Sequence, residues 1–306
     1  MLWLIITISA YFIFAIVSLI DKFILKGPIP KPKVYSFWVG VLGILTLFLI
    51  PFVGFSIPDP WKIFLSFLYG TSYILALFLY FEGLHLFETS RIVPAIGALT
   101  PLFVLVLTFI SGEKTFSFQD GIAFSLLIFG SILITLEKGK LITLKSLQLS
   151  AVSAFFFSLA FFLSKILYSQ QSFWTAFILM RIGVFIAALF FLFSKEVKEE
   201  LFEKRGILKK ETAKIFILGQ GLGAVAFLLQ NFAIFLVPFS FLAFCNALEG
   251  TKYIFLLIFT VSLSLMKPFF AERTGLKEEV SKRVLFQKII AILLIIFGLA
   301  ILTIFQ

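Results

Sequence analysis

The sequence predicts an all-α integral membrane protein, ten transmembrane helices arranged as two inverted five-helix repeats. Three observations predict it. Hydrophobic residues make up 61% of the 306-residue chain and charged residues only 14%, against roughly 45–50% and about 25% in soluble domains. Ten apolar stretches approach or exceed the length that crosses a bilayer, about 20 residues. The chain also matches itself when slid by about half its length. Its 44 phenylalanines would give a soluble protein more core than it could bury, so lipid is the solvent for most of it.

The stretches are 2–20, 34–54, 62–86, 91–111, 118–136, 147–168, 173–193, 214–236, 239–266 and 285–305. "KGPIPKPK" separates the first pair, "SIPDPWK" the second, and "ISGEKTFSFQ" the fourth from the fifth. Proline and glycine end helices there by removing a donor or adding backbone freedom. Two connections, "FETSR" at 87–91 and "LVPFS" at 236–240, are tight. The charged stretch 195–214 mixes signs and repeats Leu and Phe at helical spacing, which fits a surface amphipathic helix or a solvated loop.

Of the 26 Lys and Arg residues, 21 fall in loops after odd-numbered stretches and two, Lys62 and Lys114, in loops after even ones. The positive-inside rule puts the odd loops in the cytoplasm and both termini outside. The same rule accounts for the +10 net charge without nucleic acid. The single cysteine, Cys245, excludes an internal disulfide, and with one histidine, His85, no metal site or cofactor is expected. Met1 leads into an apolar run with no basic segment before it, so no cleavable signal peptide is expected.

A shift of 143 residues lays "SLIDKFIL" (18–25) over "FFLSKILY" (161–168), with Lys22 on Lys165, and "WVGVLGILTLFLI" over "RIGVFIAALFFLF". A shift of 149 lays "GALTPLFVLVLTF" over "NALEGTKYIFLLI", and "QDGIAFSLLIFGSILI" matches "QKIIAILLIIFGLAIL". The halves are 1–140 and 141–306. Five is odd, so they must insert in opposite senses. Inverted repeats are a transporter device, with the site at the midplane between halves.

The run "ETSRIVPAIGALTPLFVLVLTFISGEKTFSFQDGIAFSLLIFGSILIT" (88–135) and "FILMRIGVFIAAL" (177–189) resemble the EamA-type branch of the drug/metabolite transporter superfamily. Pro101, Glu113, Gly121, Gly130 and Arg181 occupy that family's motif positions. The chain departs from the pattern where Gly250 stands for the second-half proline, where Trp38 replaces the first-half Arg, and in the extra charged segment 267–284. The resemblance implies a secondary transporter of an amino acid or similar metabolite, exporting it across the inner or plasma membrane. It also implies cytoplasmic termini, where the charge count places them outside.

The ninth stretch carries Asn246, Glu249, Lys252 and Tyr253 inside an apolar run. A charge at the bilayer centre costs about 2.5–3.5 kcal/mol even on the lenient scale, so such residues normally face a cavity and mark a pathway. On a continuous helix Asn246, Glu249 and Tyr253 share a stripe within about 60°, with Lys252 on its flank. Glu249 is then a proton acceptor or cation partner with Lys252 as counter-charge; the plainer reading is an ion pair that orders packing. Tyr73 and Tyr80, on one face of the third stretch with Tyr69, offer aromatic lining for a cation or planar group. Gln230 and Asn231 are adjacent, so one faces the cavity and the other a neighbouring helix. Arg181 either contacts substrate or braces its helix. Pro94 and Pro101 are expected to kink the fourth stretch. "GQGLGA" (219–224) reads as close helix packing, Lys22 and Lys165 as snorkelling residues, and Glu82 with His85 as interfacial.

The function expected is alternating-access transport of a small organic solute, with protons as the candidate coupling ion, lipid as environment and no nucleic-acid partner. A lipid-linked-sugar flippase of the same fold would need a groove open to lipid. An enzyme is disfavoured, since no H-E-x-x-H or G-x-S-x-G occurs. A scaffold would not need the repeat. Nothing in the sequence indicates a homodimer or excludes one.

Overall fold

In lipid every backbone N–H and C=O must find its partner within its own segment, which leaves helices for this chain. The structure, a computed structural model, describes residues 2–26, 29, 31–112, 117–135, 144–202, 210–266 and 282–304. Among these residues there is no strand. The helices are α1 (Leu2–Lys26), α2 (Pro32–Val53), α3 (Pro60–Leu86), α4 (Thr89–Ile110), α5 (Phe118–Thr135) and α6 (Leu144–Gln170). They continue with α7 (Phe173–Phe193), α8 (Lys195–Phe202), α9 (Lys210–Leu236), α10 (Leu242–Ala247), α11 (Gly250–Met266) and α12 (Lys282–Ile304). Seven of them, α1, α2, α3, α4, α6, α7 and α9, are long and apolar enough to cross a membrane, and the protein is a multi-pass membrane protein. The large outward-facing apolar side chains, such as Phe48, Phe52 and Ile110, belong against lipid.

Local chemistry sets the helix starts. Asp59 caps α3 by accepting from the Lys62 N–H at 3.0 Å, with Pro60 at the first helical position. The Lys62 side chain beside it holds the Asp59 carboxyl below the usual range. Ser172 caps α7 in the same way. Within α2, residues Leu42–Leu49 tighten into a 3-10 helix, a feature that often marks a hinge. Surface helix α8 is anchored by buried Val197 and pairs Glu196 with Lys33 of α2 at 2.8 Å. Residues 203–209 of that charged stretch, Glu113, and residues 267–281 lie outside the described residues.

α3 packs on α6 and α7, α1 on α9, α5 on α12, and α4 on α6 and the α10–α11 pair. Apolar burial does not drive helices together in lipid, so small residues and interhelical hydrogen bonds must. The α3–α7 crossing shows the first: a Cβ on Gly70 would lie 2.1 Å from the Gly183 carbonyl carbon. At the α5–α12 crossing, a Cβ on Gly130 would meet Ile295 at 2.7 Å. The serines of α6 show the second. Ser153 donates to the Ala76 carbonyl at 2.9 Å and Ser158 to that of Thr100 at 2.8 Å.

Lys22 and Lys165 do not snorkel. Both are buried, and each ammonium donates to the carbonyls that close another helix. Lys22 reaches Leu84 and Phe87 at the end of α3. Lys165 reaches Ile234 at 3.1 Å, Phe235 at 3.3 Å and Val237 at the end of α9. The last carbonyls of a helix lack intrahelical donors and carry partial negative charge, which is what a buried ammonium requires. His85, half-buried, likewise approaches the Leu25 carbonyl at 3.0 Å.

Candidate functional site

The run 239–266 is not one helix. A 3-10 turn at Phe239–Phe241 leads into α10, the chain leaves the helix at Leu248 and Glu249, and α11 starts at Gly250. Glycine is the residue that loses most freedom in a helix, and it sits at this break. The N–H groups of Glu249, Thr251 and Lys252 donate three residues back, to Asn246, Leu248 and Glu249, at 3.0, 3.0 and 2.9 Å. The Cys245 carbonyl would take the Glu249 N–H in a continuous helix. Here it accepts the Tyr11 hydroxyl at 3.4 Å.

The break dissolves the stripe expected on a continuous helix. Asn246 is buried, donates to the Leu242 carbonyl of its own helix at 2.9 Å, and is not on the wall of the cavity described next. Tyr253 turns toward Gly97 of α4. Glu249 and Lys252 remain on the wall of a cavity of about 650 Å³. Their ion pair spans 3.0 Å. The Lys252 ammonium also lies 5.7 Å from the Phe14 ring and 6.0 Å from the Tyr80 ring, whose faces stabilise a cation.

The other predicted residues divide between wall and packing. Tyr73 and Tyr80 line the cavity, while Tyr69 is buried behind Tyr73, stacked on it at 5.8 Å. Tyr80 donates to Ser18 at 2.9 Å. Gln230 is on the wall, and Asn231 faces away, accepting from Tyr168 at 3.0 Å. Arg181 is on the wall, 4.8 Å above the Phe227 ring, its guanidinium 3.1 Å from where a Cβ on Gly43 would stand. Among the described residues no carboxylate pairs with it. Pro94 and Pro101 are buried within α4, which continues as a helix through both, and neither lines the cavity.

Sequence reasoning missed Asp21. It lies beyond the end assigned to the first stretch, yet α1 continues to Lys26 and buries it on the cavity wall. Tyr35 of α2 donates to its Oδ1, and Gln220 of α9 donates to the Tyr35 hydroxyl at 3.1 Å. One carboxylate thus ties three helices. The signal available was the Asp-Lys pair itself, two charges closing an apolar run. Charges of both signs therefore face one partly apolar cavity, whose volume lies in the range of about 300–1,000 Å³ that small organic ligands fill.

Between α2 and α9 several residues that line the cavity are also exposed, so the cavity reaches the outside of the bundle there. Leu45 of α2 and Ile217, Gly221 and Ala224 of α9 line this mouth and are exposed. Gly221 has open space where a Cβ would go, whereas a Cβ on Gly219 would stand 2.7 Å from the Ile20 side chain of α1. Only part of the "GQGLGA" run serves packing.

Gly97 is a second residue that the sequence did not single out. A Cβ there would lie 1.8 Å from the Tyr253 hydroxyl and 2.8 Å from Glu249 Cδ. The Tyr253 hydroxyl has no hydrogen-bond partner among the described residues. Gly97→Ala is therefore expected to cost about 1–3 kcal/mol by overpacking, and Gly97→Ala with Tyr253→Phe to recover part of it by removing the nearest atom. Thermal unfolding of the three variants in detergent measures this. A double variant no more stable than the single would remove the contact as the cause.

No protein-family model matches the chain, and no curated protein matches it. Solved structures do. One, described as "Crystal structure of protein", superposes with a TM-score of 0.60 over 98% of this chain and 94% of its own, at 15% identity. The chain thus shares its fold with a solved protein across nearly its whole length.

Proposed function

We propose that the protein is a ten-helix secondary transporter of small organic solutes, built from inverted halves 1–140 and 141–306. The observation that carries this reading is the broken helix: Glu249 and Lys252 sit at an interruption in an apolar span and face the cavity. Unwound segments at the midplane, with backbone freed for ligands, are how transporter sites are built. Two correspondences support the inversion. Lys22 and Lys165, aligned by the repeat, close the third helix of their own half. The α1–α9 packing has its counterpart in α6–α3. In this reading Glu249 takes the coupling proton, Lys252 balances the carboxylate once that proton is released, and Arg181, Gln230, Tyr73 and Tyr80 orient the solute. Resemblance to EamA-type carriers suggests an amino acid or related metabolite, moved outward across the inner or plasma membrane.

The test is flux. Purified protein in liposomes, offered a panel of labelled amino acids under an imposed pH gradient, is expected to show saturable uptake that collapses when a protonophore dissipates the gradient. Flux no greater than in protein-free liposomes for every solute would remove the transport reading.

A further inference from the structure

We propose that the cavity takes a zwitterionic amphiphile, a molecule whose head carries one anionic and one cationic group and whose apolar tail leaves through the mouth between α2 and α9. The inference rests on the transport reading and narrows its substrate class. Two independent observations carry it.

The first is where the cavity opens. Leu45 is the fourteenth residue of the 22-residue span Pro32–Val53, and Gly221 the ninth of the 24-residue span Ala213–Leu236. The mouth therefore sits well inside both spans, and its rim is Leu45, Ile217, Gly221 and Ala224, all exposed and without a polar side chain. An opening at that depth with such a rim meets acyl chains. A wholly polar solute would gain nothing from it, and an apolar chain can lie in it without desolvation cost.

The second is the charge pattern inside. Glu249 and Lys252 neutralise one another at 3.0 Å. Two charged side chains form no ion pair of their own among the described residues: Arg181, and Asp21, which accepts from the Tyr35 hydroxyl and feels the Lys252 charge that Glu249 already pairs. They occupy different levels. Arg181 lies near the Gly70–Gly183 crossing, beside Tyr69 and Tyr73. Asp21 lies beside Tyr80, whose hydroxyl meets Ser18 one turn earlier on α1. From Tyr73 to Tyr80 is about 10 Å of helix rise, and the long Arg side chain spans part of that. An anionic group placed at Arg181 and a cationic group at Asp21, among the rings of Tyr80, Phe81 and Phe14, satisfies both leftover charges. A purely anionic head, such as the diphosphate of a lipid-linked sugar, would set its charge against Asp21. The lateral mouth alone would admit such a lipid; the carboxylate disfavours it.

The test uses the purified full-length protein in liposomes containing a trace of lysophosphatidylcholine with a fluorophore on its acyl chain. Dithionite added outside bleaches probe in the outer leaflet, so further bleaching reports movement from the inner one. Bleaching of the inner pool is expected at least about tenfold faster than in protein-free liposomes, Gly221→Trp to abolish most of the acceleration by filling the mouth, and Arg181→Gln to weaken it; each tenfold is about 1.4 kcal/mol of barrier. The same fluorophore on lysophosphatidic acid is expected to move little faster than without protein. No acceleration for lysophosphatidylcholine, while labelled amino acids are transported, would overturn this inference and leave the transport reading intact. Absence of both would overturn both. Equal acceleration of the two probes would overturn the head-group assignment, and a Gly221→Trp variant as fast as wild type would overturn the mouth.

Discussion

Gly70→Ala and Gly183→Ala are each expected to lower stability by about 3 kcal/mol or more, the top of the range for overpacking. A Cβ on Gly70 would stand 2.1 Å from the Gly183 carbonyl carbon, and one on Gly183 would stand 2.1 Å from the Ser66 carbonyl oxygen. Both obstacles are backbone, so no rotamer change relieves them, and α3 and α7 must move apart. Alanine is otherwise the better helix former by about 1 kcal/mol. Gly221→Ala, where no atom lies within 4 Å, is therefore expected to be neutral or slightly stabilising. Thermal unfolding in detergent compares the three. A Gly70→Ala protein as stable as Gly221→Ala would mean that the crossing is looser than described.

Lys252→Met is the second large effect. The lysine is buried and paired with a carboxylate that is itself largely buried. Removing one member of a buried pair leaves an uncompensated charge and destabilises by about 3–5 kcal/mol, whereas replacing both with apolar residues is often near neutral. Lys252→Met should thus unfold well before wild type, and Glu249→Leu with Lys252→Leu close to it. Equal stability of wild type and Lys252→Met would show that the pair is solvated rather than buried.

The helices were legible because lipid imposes a single rule, about 20 apolar residues per crossing, and the prolines and charges between them are ordinary stops. Their contents were less so. Asp21 was read as the end of a helix because charges close apolar runs. It stays inside α1 because the Tyr35 hydroxyl of α2 donates to it, and Gln220 of α9, far away in sequence, donates in turn to that hydroxyl. Asn246 and Tyr253 were grouped with Glu249 by assuming uninterrupted helical spacing. The weak point was visible, Gly250 beside a charged residue, but whether a helix breaks there depends on what partners the freed groups, and the Tyr11 hydroxyl of α1 donates to the freed Cys245 carbonyl. Lys22 and Lys165 look like interfacial lysines to any local reading, since their partners are backbone carbonyls of distant helices. Composition cannot show a carbonyl left unpaired elsewhere in the fold.

The account stands most directly on the pair at the helix break, and the measurement that tests it is solute flux by the Glu249→Leu, Lys252→Leu double variant. Reconstituted beside wild type and checked for a matching thermal transition, the double variant is expected to be folded and to have lost pH-gradient-driven transport. Packing alone would be served equally well by two leucines. A double variant that is folded and transports as wild type does, with the same dependence on the pH gradient, would contradict the account and reduce the pair to a device for holding α11 in place.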